Sequence, residues 1–256
     1  MTSLQGKTIC VTGATSGFGR AIAEQLAAEG ARLIILGRRA ERLAEVTQSL
    51  QGKTSIHSAV LDVRDRAAVK SFFEQLPAEF ANIDALVNNA GLALGTTPAP
   101  NVDMDQWEQM IDTNIKGLLY CTQSVLPGMV ARDTGHIVNI GSIAGSYAYP
   151  GGNVYGGTKA FVAQFSANLR ADLLGKHIRV SNIEPGMAET EFSIVRYSGD
   201  EAKAKSVYQG VAPLSADDIA STVLWVLKQP AHVNINRVEV MPVMQASAGL
   251  AVSRII

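Results

Sequence analysis

At 256 residues the chain is long enough for one large α/β domain or two small ones, and with 47% apolar against 18% charged residues it can bury a sizeable core. The formal net charge of -1 argues against a general nucleic-acid-binding surface, which must be basic. No apolar run approaches the ~20 residues of a membrane span, and the start, Met1-Thr-Ser-Leu-Gln-Gly-Lys7, has no apolar signal segment, so a cytoplasmic protein is expected.

In chain order, Thr8 to Thr12 is a short β-rich run followed by Gly13-Ala-Thr15-Ser16-Gly17-Phe18-Gly19 and a predicted helix from about Phe18 to Glu29, closed by Gly30. A strand, a glycine turn and a helix make a phosphate cradle: backbone N–H groups and the positive helix end face the anion, and missing Cβ atoms let the backbone approach. A tight turn that binds nothing is the alternative. The cysteine Cys10 falls in this first strand and Cys121 in a later helix, as buried thiols of a reducing compartment rather than a disulfide framework. His57, His136, His177 and His232 are scattered without metal-ligand spacing, and no metal is expected.

The second predicted strand, Arg32 to Leu36, ends in Gly37-Arg38-Arg39. An NAD site would carry an acid here, roughly 20 residues past the glycines, to grip a ribose hydroxyl. Two arginines instead fit a 2′-phosphate through forked, charge-assisted hydrogen bonds, which leans to NADP; two solvated arginines at a helix start are the alternative. Ser55 to Leu61 is a strand ending at Asp62-Val63, with the Asp62 side chain placed to meet an adenine edge. Asp65 to Leu76 is helical, and Ile83 to Val87 is a strand closed by Asn88-Asn89-Ala90-Gly91, small enough for close contact with a cofactor. A long helix is expected over Met104 to Met129, with Asn114 among apolar neighbours as either a satisfied structural kink or a link in a proton path.

His136 to Gly141 is an apolar strand leading to Ser142, and a helix begins near Asn153. Tyr155 and Lys159 stand at i and i+4 on one face of that helix. An ammonium near a phenol favours the phenolate, so a pKa lowered from about 10 is expected for Tyr155, making it a general acid or base near neutral pH. Ser142 is placed to steady a carbonyl oxygen. Taken alone, an exposed Tyr and a solvated Lys are the better explanation of the pair; that reading loses its lead only because the rest of the chain supplies a cofactor for the chemistry. Ile178 to Ile183 is a strand with the turn Glu184-Pro185-Gly186 after it; about 187–210 reads as a mobile lid, Ala216 to Lys228 as a helix, Arg237 to Met241 as a last strand, and about 242–256 as a tail that packs on a partner subunit. Seven strands separated mostly by helices indicate one parallel, doubly wound sheet, and Gly13, Arg38, Asp62, Asn89, Ser142 and Pro185 all sit at strand carboxyl ends, where such sheets bind ligands.

Thr12-Gly13-x-x-x-Gly17-x-Gly19, Asn88-Asn89-Ala90-Gly91, Ser142, Tyr155-x-x-x-Lys159 and Pro185-Gly186-x-x-x-Thr190 together resemble the short-chain dehydrogenases/reductases over nearly the whole chain. The resemblance implies a single Rossmann-type domain, NAD(P), a catalytic tetrad falling on Asn114, Ser142, Tyr155 and Lys159, a nicotinamide contact from Thr190, and a homotetramer. Gly37-Arg38-Arg39, Asn89 to Gly95, Gly151 to Tyr155, Val195-Arg196 and Ala231 to Asn236 are similar to the NADP-dependent 3-hydroxy acid (serine/allo-threonine) dehydrogenase and sulfoacetaldehyde reductase branch. The run Tyr155-Gly-Gly-Thr-Lys159 departs from the family pattern in carrying two glycines, each of which costs a helix interior about 1 kcal/mol relative to alanine. Arg196 in the lid, with Tyr149 and Asn153 near Ser142, points to an anionic substrate; a surface arginine on a flexible loop is the alternative. The expected activity is NADPH-dependent reduction of a small anionic aldehyde, sulfoacetaldehyde or malonic semialdehyde. The rivals are oxidation of a 3-hydroxy acid or serine, and a non-catalytic NADP-binding regulator.

Overall fold

The computed structural model describes residues 2–247 and 252. Seven strands form one parallel sheet in the order β3-β2-β1-β4-β5-β6-β7. They are β1 (Thr8–Thr12), β2 (Arg32–Gly37), β3 (Ile56–Val60), β4 (Ala85–Asn88), β5 (Gly135–Ile140), β6 (Ile178–Pro185) and β7 (Arg237–Val240). The helices are α1 (Gly17–Ala28), α2 (Ala40–Leu50), α3 (Arg66–Glu74), α4 (Met104–Ile111), α5 (Leu118–Arg132), α6 (Asn153–Asp172), α7 (Glu191–Arg196), α8 (Glu201–Ser206) and α9 (Ala216–Leu227). The chain winds outward from β1 to β3, then crosses back to β4 on the other side of β1, so a crevice opens past the carboxyl ends of β1 and β4.

Side-chain alternation divides the core into two layers. Ile9 and Val11, Leu33 and Ile35, Ala85 and Val87, and Val138 point to the face covered by α1 and α9. Cys10, Ile34, Leu36, Leu86 and Ile137 point to the opposite face, where Val69 of α3, Cys121, Val125 and Met129 of α5, and Leu169 of α6 meet them. Both cysteines are free and buried. Among the described residues no helix is long and apolar enough to cross a membrane.

Local chemistry sets the element ends. Gly30, at φ +75, closes α1. The Asp65 carboxylate caps α3 by accepting from Ala67 and Ala68 N–H, and Ser215 with Asp218 forms a capping box on α9. The expected single helix from Met104 is interrupted: α4 passes into a π-helical turn, Asp112–Gly117, before α5. The expected lid contains the short helices α7 and α8, capped by Thr190 and Asp200. Caps rather than apolar periodicity specify them, which is why the stretch reads as irregular in sequence. The tail runs over 248–251 and 253–256, which lie outside the described residues; before them the Gln245 side-chain oxygen accepts from Met187 N at 2.7 Å, fastening the tail to its own chain at the start of the lid.

Candidate active site

A cleft of about 340 Å³ lies along the carboxyl edge of the sheet. It is lined from the turn after β1 by Gly13, Thr15, Ser16, Gly17 and Phe18, and from the end of β2 by Arg38 and Arg39. Backbone sterics fix the first wall. Gly13 has φ +68, and a Cβ there would stand 2.9 Å from Ala90 Cα; a Cβ on Gly19 would stand 2.3 Å from the Gly13 carbonyl oxygen. Gly19 itself does not line the cleft but lets α1 approach the turn. Thr12 Oγ1 accepts from Asn89 N at 3.0 Å and Ala90 N at 2.9 Å, and the Asn89 amide donates to the carbonyls of Thr12 and Gly13 at 2.9 and 3.2 Å. These bonds seam the turn after β1 to Asn89 and Ala90 of the turn after β4. The first turn of α1 has neither a side-chain cap nor an acidic residue, so its N–H groups are left for an anion.

Arg38 and Arg39 differ. Arg39 is committed: it donates to Thr15 Oγ1 at 3.0 Å, Ser16 Oγ at 2.6 Å and Glu191 Oε2 at 3.0 Å. Arg38 makes a looser ion pair with Asp62 at 3.7 Å. Asp62 does not line the cleft as expected; its neighbours Leu61 and Val63 do. Burial works against the Asp62 charge, but Arg64 binds the carboxylate at 2.6 Å and holds its pKa below the usual range. An adenine edge would have to compete with that guanidinium.

At the other wall, Ser142 follows β5 and caps the short turn Ile143–Gly145, accepting from Ala144 N at 3.1 Å. That turn sits directly on α6. A Cβ on Gly156 would come 2.9 Å from the Ala144 carbonyl oxygen, and one on Gly145 would come 2.7 Å from Lys159 C. The first of the unusual glycine pair is thus required by close packing. Gly157 would meet nothing within 4 Å, and nothing in the structure explains it. Tyr155 and Lys159 are 8% and 7% exposed and both line the cleft.

The expected direction of the Tyr155 shift is overturned. Burial pushes its phenol up to about 12; the Ser142 hydroxyl and Arg196 oppose the rise, and Tyr149 adds to it. The Lys159 amine donates to the Ile140 carbonyl at 2.8 Å and lies 5.9 Å from the Tyr155 ring centroid. Burial also lowers the Lys159 pKa to about 8, which weakens its claim to a full charge. Helical spacing places the two groups on one face but says nothing of how deeply that face is buried.

Asn114, 2% exposed in the π-helical turn, accepts from Leu92 N at 2.9 Å and donates to Leu92 O and Thr158 Oγ1 at 2.8 and 3.0 Å. A Cβ on Gly91 would be 3.3 Å from Asn114 Oδ1 and 3.6 Å from Lys159 Nζ, so these groups converge. Pro185 and Gly186 close the far rim. Thr190 lies over the glycine turn, with its Cβ 3.4 Å from where a Gly17 Cβ would stand.

Tyr149, Asn153 and Arg196 stand outside the lining of the main cleft; Tyr149 and Arg196 are near Tyr155. Arg196 donates to Tyr149 Oη at 2.9 Å and Gly95 O at 3.3 Å, and its guanidinium carbon lies 5.8 Å from the Tyr155 ring centroid. Asn153 is occupied by structure: it accepts from Trp107 Nε1 and donates to Thr97 O. Sequence reasoning missed Phe192, packed 5.7 Å from the Tyr155 ring, and the ion pairs of Glu191 with Arg39 and Arg42. The spacing of Arg39 and Arg42 puts them on neighbouring turns and was a usable signal; their partner, far along the chain, left none.

The profile of the short chain dehydrogenase family matches residues 7–200. The NADP-dependent 3-hydroxy acid dehydrogenase YdfG of Shigella flexneri is 56% identical over 96% of this chain and 99% of its own. Sulfoacetaldehyde reductase 2 of Chromohalobacter salexigens is 51% identical over 96% of this chain and 98% of its own. The closed form of a serine dehydrogenase complexed with NADP+ superposes with a TM-score of 0.92 at 55% identity, covering 96% of this chain and 99% of that one. With this match, the seven-stranded parallel sheet and the cleft at its carboxyl edge, the chain belongs to the short chain dehydrogenase family and is an oxidoreductase.

Proposed function

We propose that this enzyme uses NADPH to reduce a small anionic aldehyde, sulfoacetaldehyde to isethionate or malonic semialdehyde to 3-hydroxypropionate, reversibly. The observation that carries this reading is Arg196, a guanidinium held by Tyr149 and Gly95 beside the Tyr155 ring. A carboxylate or sulfonate paired there would leave a two- or three-carbon aldehyde with its carbonyl near the phenol.

The residues present fit NADP(H): an uncapped helix start, glycines that a Cβ would block, and Arg38 open to a 2′-phosphate. Gly13, Thr15, Ser16, Gly17, Phe18 and Gly19 would hold or shape the pyrophosphate end, with Arg38 and Arg39 at the 2′-phosphate and Val63 at the adenine. Asn89, Ala90, Gly91, Pro185, Gly186 and Thr190 would border the nicotinamide end. When bound, the cofactor supplies the hydride. Tyr155 gives its phenolic proton to the carbonyl oxygen, Ser142 hydrogen-bonds that oxygen, and Lys159 holds the ribose and passes a proton back to Tyr155. Asn114 sets the Gly91–Leu92 segment beside the amine and anchors the relay.

Burial raises the phenol to about 12, so it is protonated at neutral pH and can donate to a carbonyl oxygen. The names of the relatives at 55–56% identity favour a second reading, the same site oxidising a 3-hydroxy acid or serine, with Tyr155 as the base. A silent NADP-binding regulator is disfavoured by the convergence of Ser142, Tyr155 and Lys159 on one cleft. The lid over residues 187–210 covers the substrate, and the protein works as a cytoplasmic homotetramer, as the family resemblance implies.

The test is turnover of two- and three-carbon aldehydes and hydroxy acids with NADPH and NADH, repeated on Arg196→Ala. KM for anionic aldehydes should rise about tenfold or more, the loss expected for one charge-assisted bond, while neutral aldehydes are unaffected. An unchanged KM for the anionic ones, with no gain for neutral ones, removes the proposal.

A further inference from the structure

Helix α7 is six residues long, and each end carries a charged side chain bonded to a different segment of the chain. At its carboxyl end Arg196 bonds Tyr149 and Gly95, and the Arg196 carbonyl accepts from Gly95 N at 2.8 Å. At its amino end the Glu191 carboxylate meets Arg39 Nη1 at 3.0 Å and also pairs with Arg42. Four guanidiniums, those of Arg38, Arg39, Arg42 and Arg64, face two carboxylates, Asp62 and Glu191, so the cluster keeps a positive surplus. Glu191 takes up the outer edge of Arg39 while Arg38 stays loosely paired and open to a further anion.

We propose that Glu191 is a positioning residue: it straps α7 to the guanidinium pair at the phosphate-binding end of the cleft and thereby holds Arg196, at the other end of the same helix, over the substrate site. The inference rests on the reading of Arg196 as the substrate's anion partner. A helix this short spans about 9 Å, so releasing one end displaces the other. Phe192, next to Glu191 and packed on Tyr155, ties the same helix to the proton donor.

The effect is a split that general damage would not give. Two half-exposed ion pairs on one carboxylate are weak individually, so Glu191→Gln should raise KM for an anionic aldehyde about fivefold and leave kcat within about twofold. The Kd for NADPH, read by its fluorescence, should stay unchanged or fall, because a carboxylate has been removed from beside a phosphate-binding cluster. Arg42 does not line the cleft. Arg42→Gln should therefore move KM in the same direction, and the double variant should be no worse than Glu191→Gln alone, since both remove one interaction.

Hydrogen exchange at the amides of 192–197, measured on the cofactor-free protein, should quicken in both single variants. This last measurement needs no substrate: if the wild type turns over no anionic aldehyde, the substrate reading fails while the exchange rates still decide the strap. Unchanged exchange in Glu191→Gln overturns the proposal, as does an unchanged KM or a KM and NADPH Kd that rise together.

Discussion

At the glycine turn after β1, position is decided by close approach: the atoms that a Gly13 or Gly19 Cβ would strike are backbone atoms of Ala90 and Gly13 and the side-chain amide of Asn89. At Tyr155 and Lys159, position is decided by two buried titratable side chains whose protonation burial has moved in opposite directions, the phenol up to about 12 and the amine down to about 8. The first region tolerates no added atom but carries no titration. The second is packed closely as well, but it also carries protons that the reaction must move. Binding and chemistry in this cleft therefore depend on different properties of the chain.

The sharpest way to separate them is Tyr155→Phe, which keeps the ring packed against Phe192 and deletes only the hydroxyl. Turnover should fall about 10²- to 10⁴-fold while NADPH binding and the melting temperature stay close to wild type. Near-normal turnover would break the distinction, because the proton would have to come from elsewhere. Next in size, Gly19→Ala pushes a methyl to within 2.3 Å of the Gly13 carbonyl oxygen. Stability should drop by about 1–3 kcal/mol, and NADPH titration should show an affinity roughly tenfold weaker or worse as α1 is pushed off the turn. Wild-type affinity in this variant would show that the turn is not sterically fixed.

Within one unit of pH 8 the effect of titration is smaller still. Burial lowers the Lys159 pKa to about 8, so the amine is charged below that value and neutral above it. If the charged amine is what reloads Tyr155, kcat for reduction should be flat below pH 8 and fall about tenfold per unit above it. A profile that rises through pH 8 instead would assign the active form to the neutral amine.

Much of this was legible in the chain. The alternation of apolar runs with helical stretches, and glycines at the ends of strands, gave the parallel sheet and its crevice, because local period and turn chemistry agreed with the global fold. Other features are set by contacts far apart in sequence. Whether Asp62 faces a cofactor or Arg64, and whether Asn153 faces a substrate or Trp107 and Thr97, depends on which partner arrives first in space. The sign of the Tyr155 shift is of the same kind. Its neighbour at i+4 was visible, but the apolar packing of Leu92, Met110 and Phe192 around it, which keeps water out, was not.

The π-helical turn at Asp112–Gly117 has one more consequence. An extra residue rotates everything after it by about 100° relative to an unbroken helix. It acts as a phase shifter between α4, whose Met110 and Trp107 pack beside Tyr155, and α5, whose Cys121, Val125 and Met129 pack under the sheet. A continuous helix of the same length would have to choose one of these faces, and the single-residue offset lets one rod serve both the reaction chamber and the foundation beneath it.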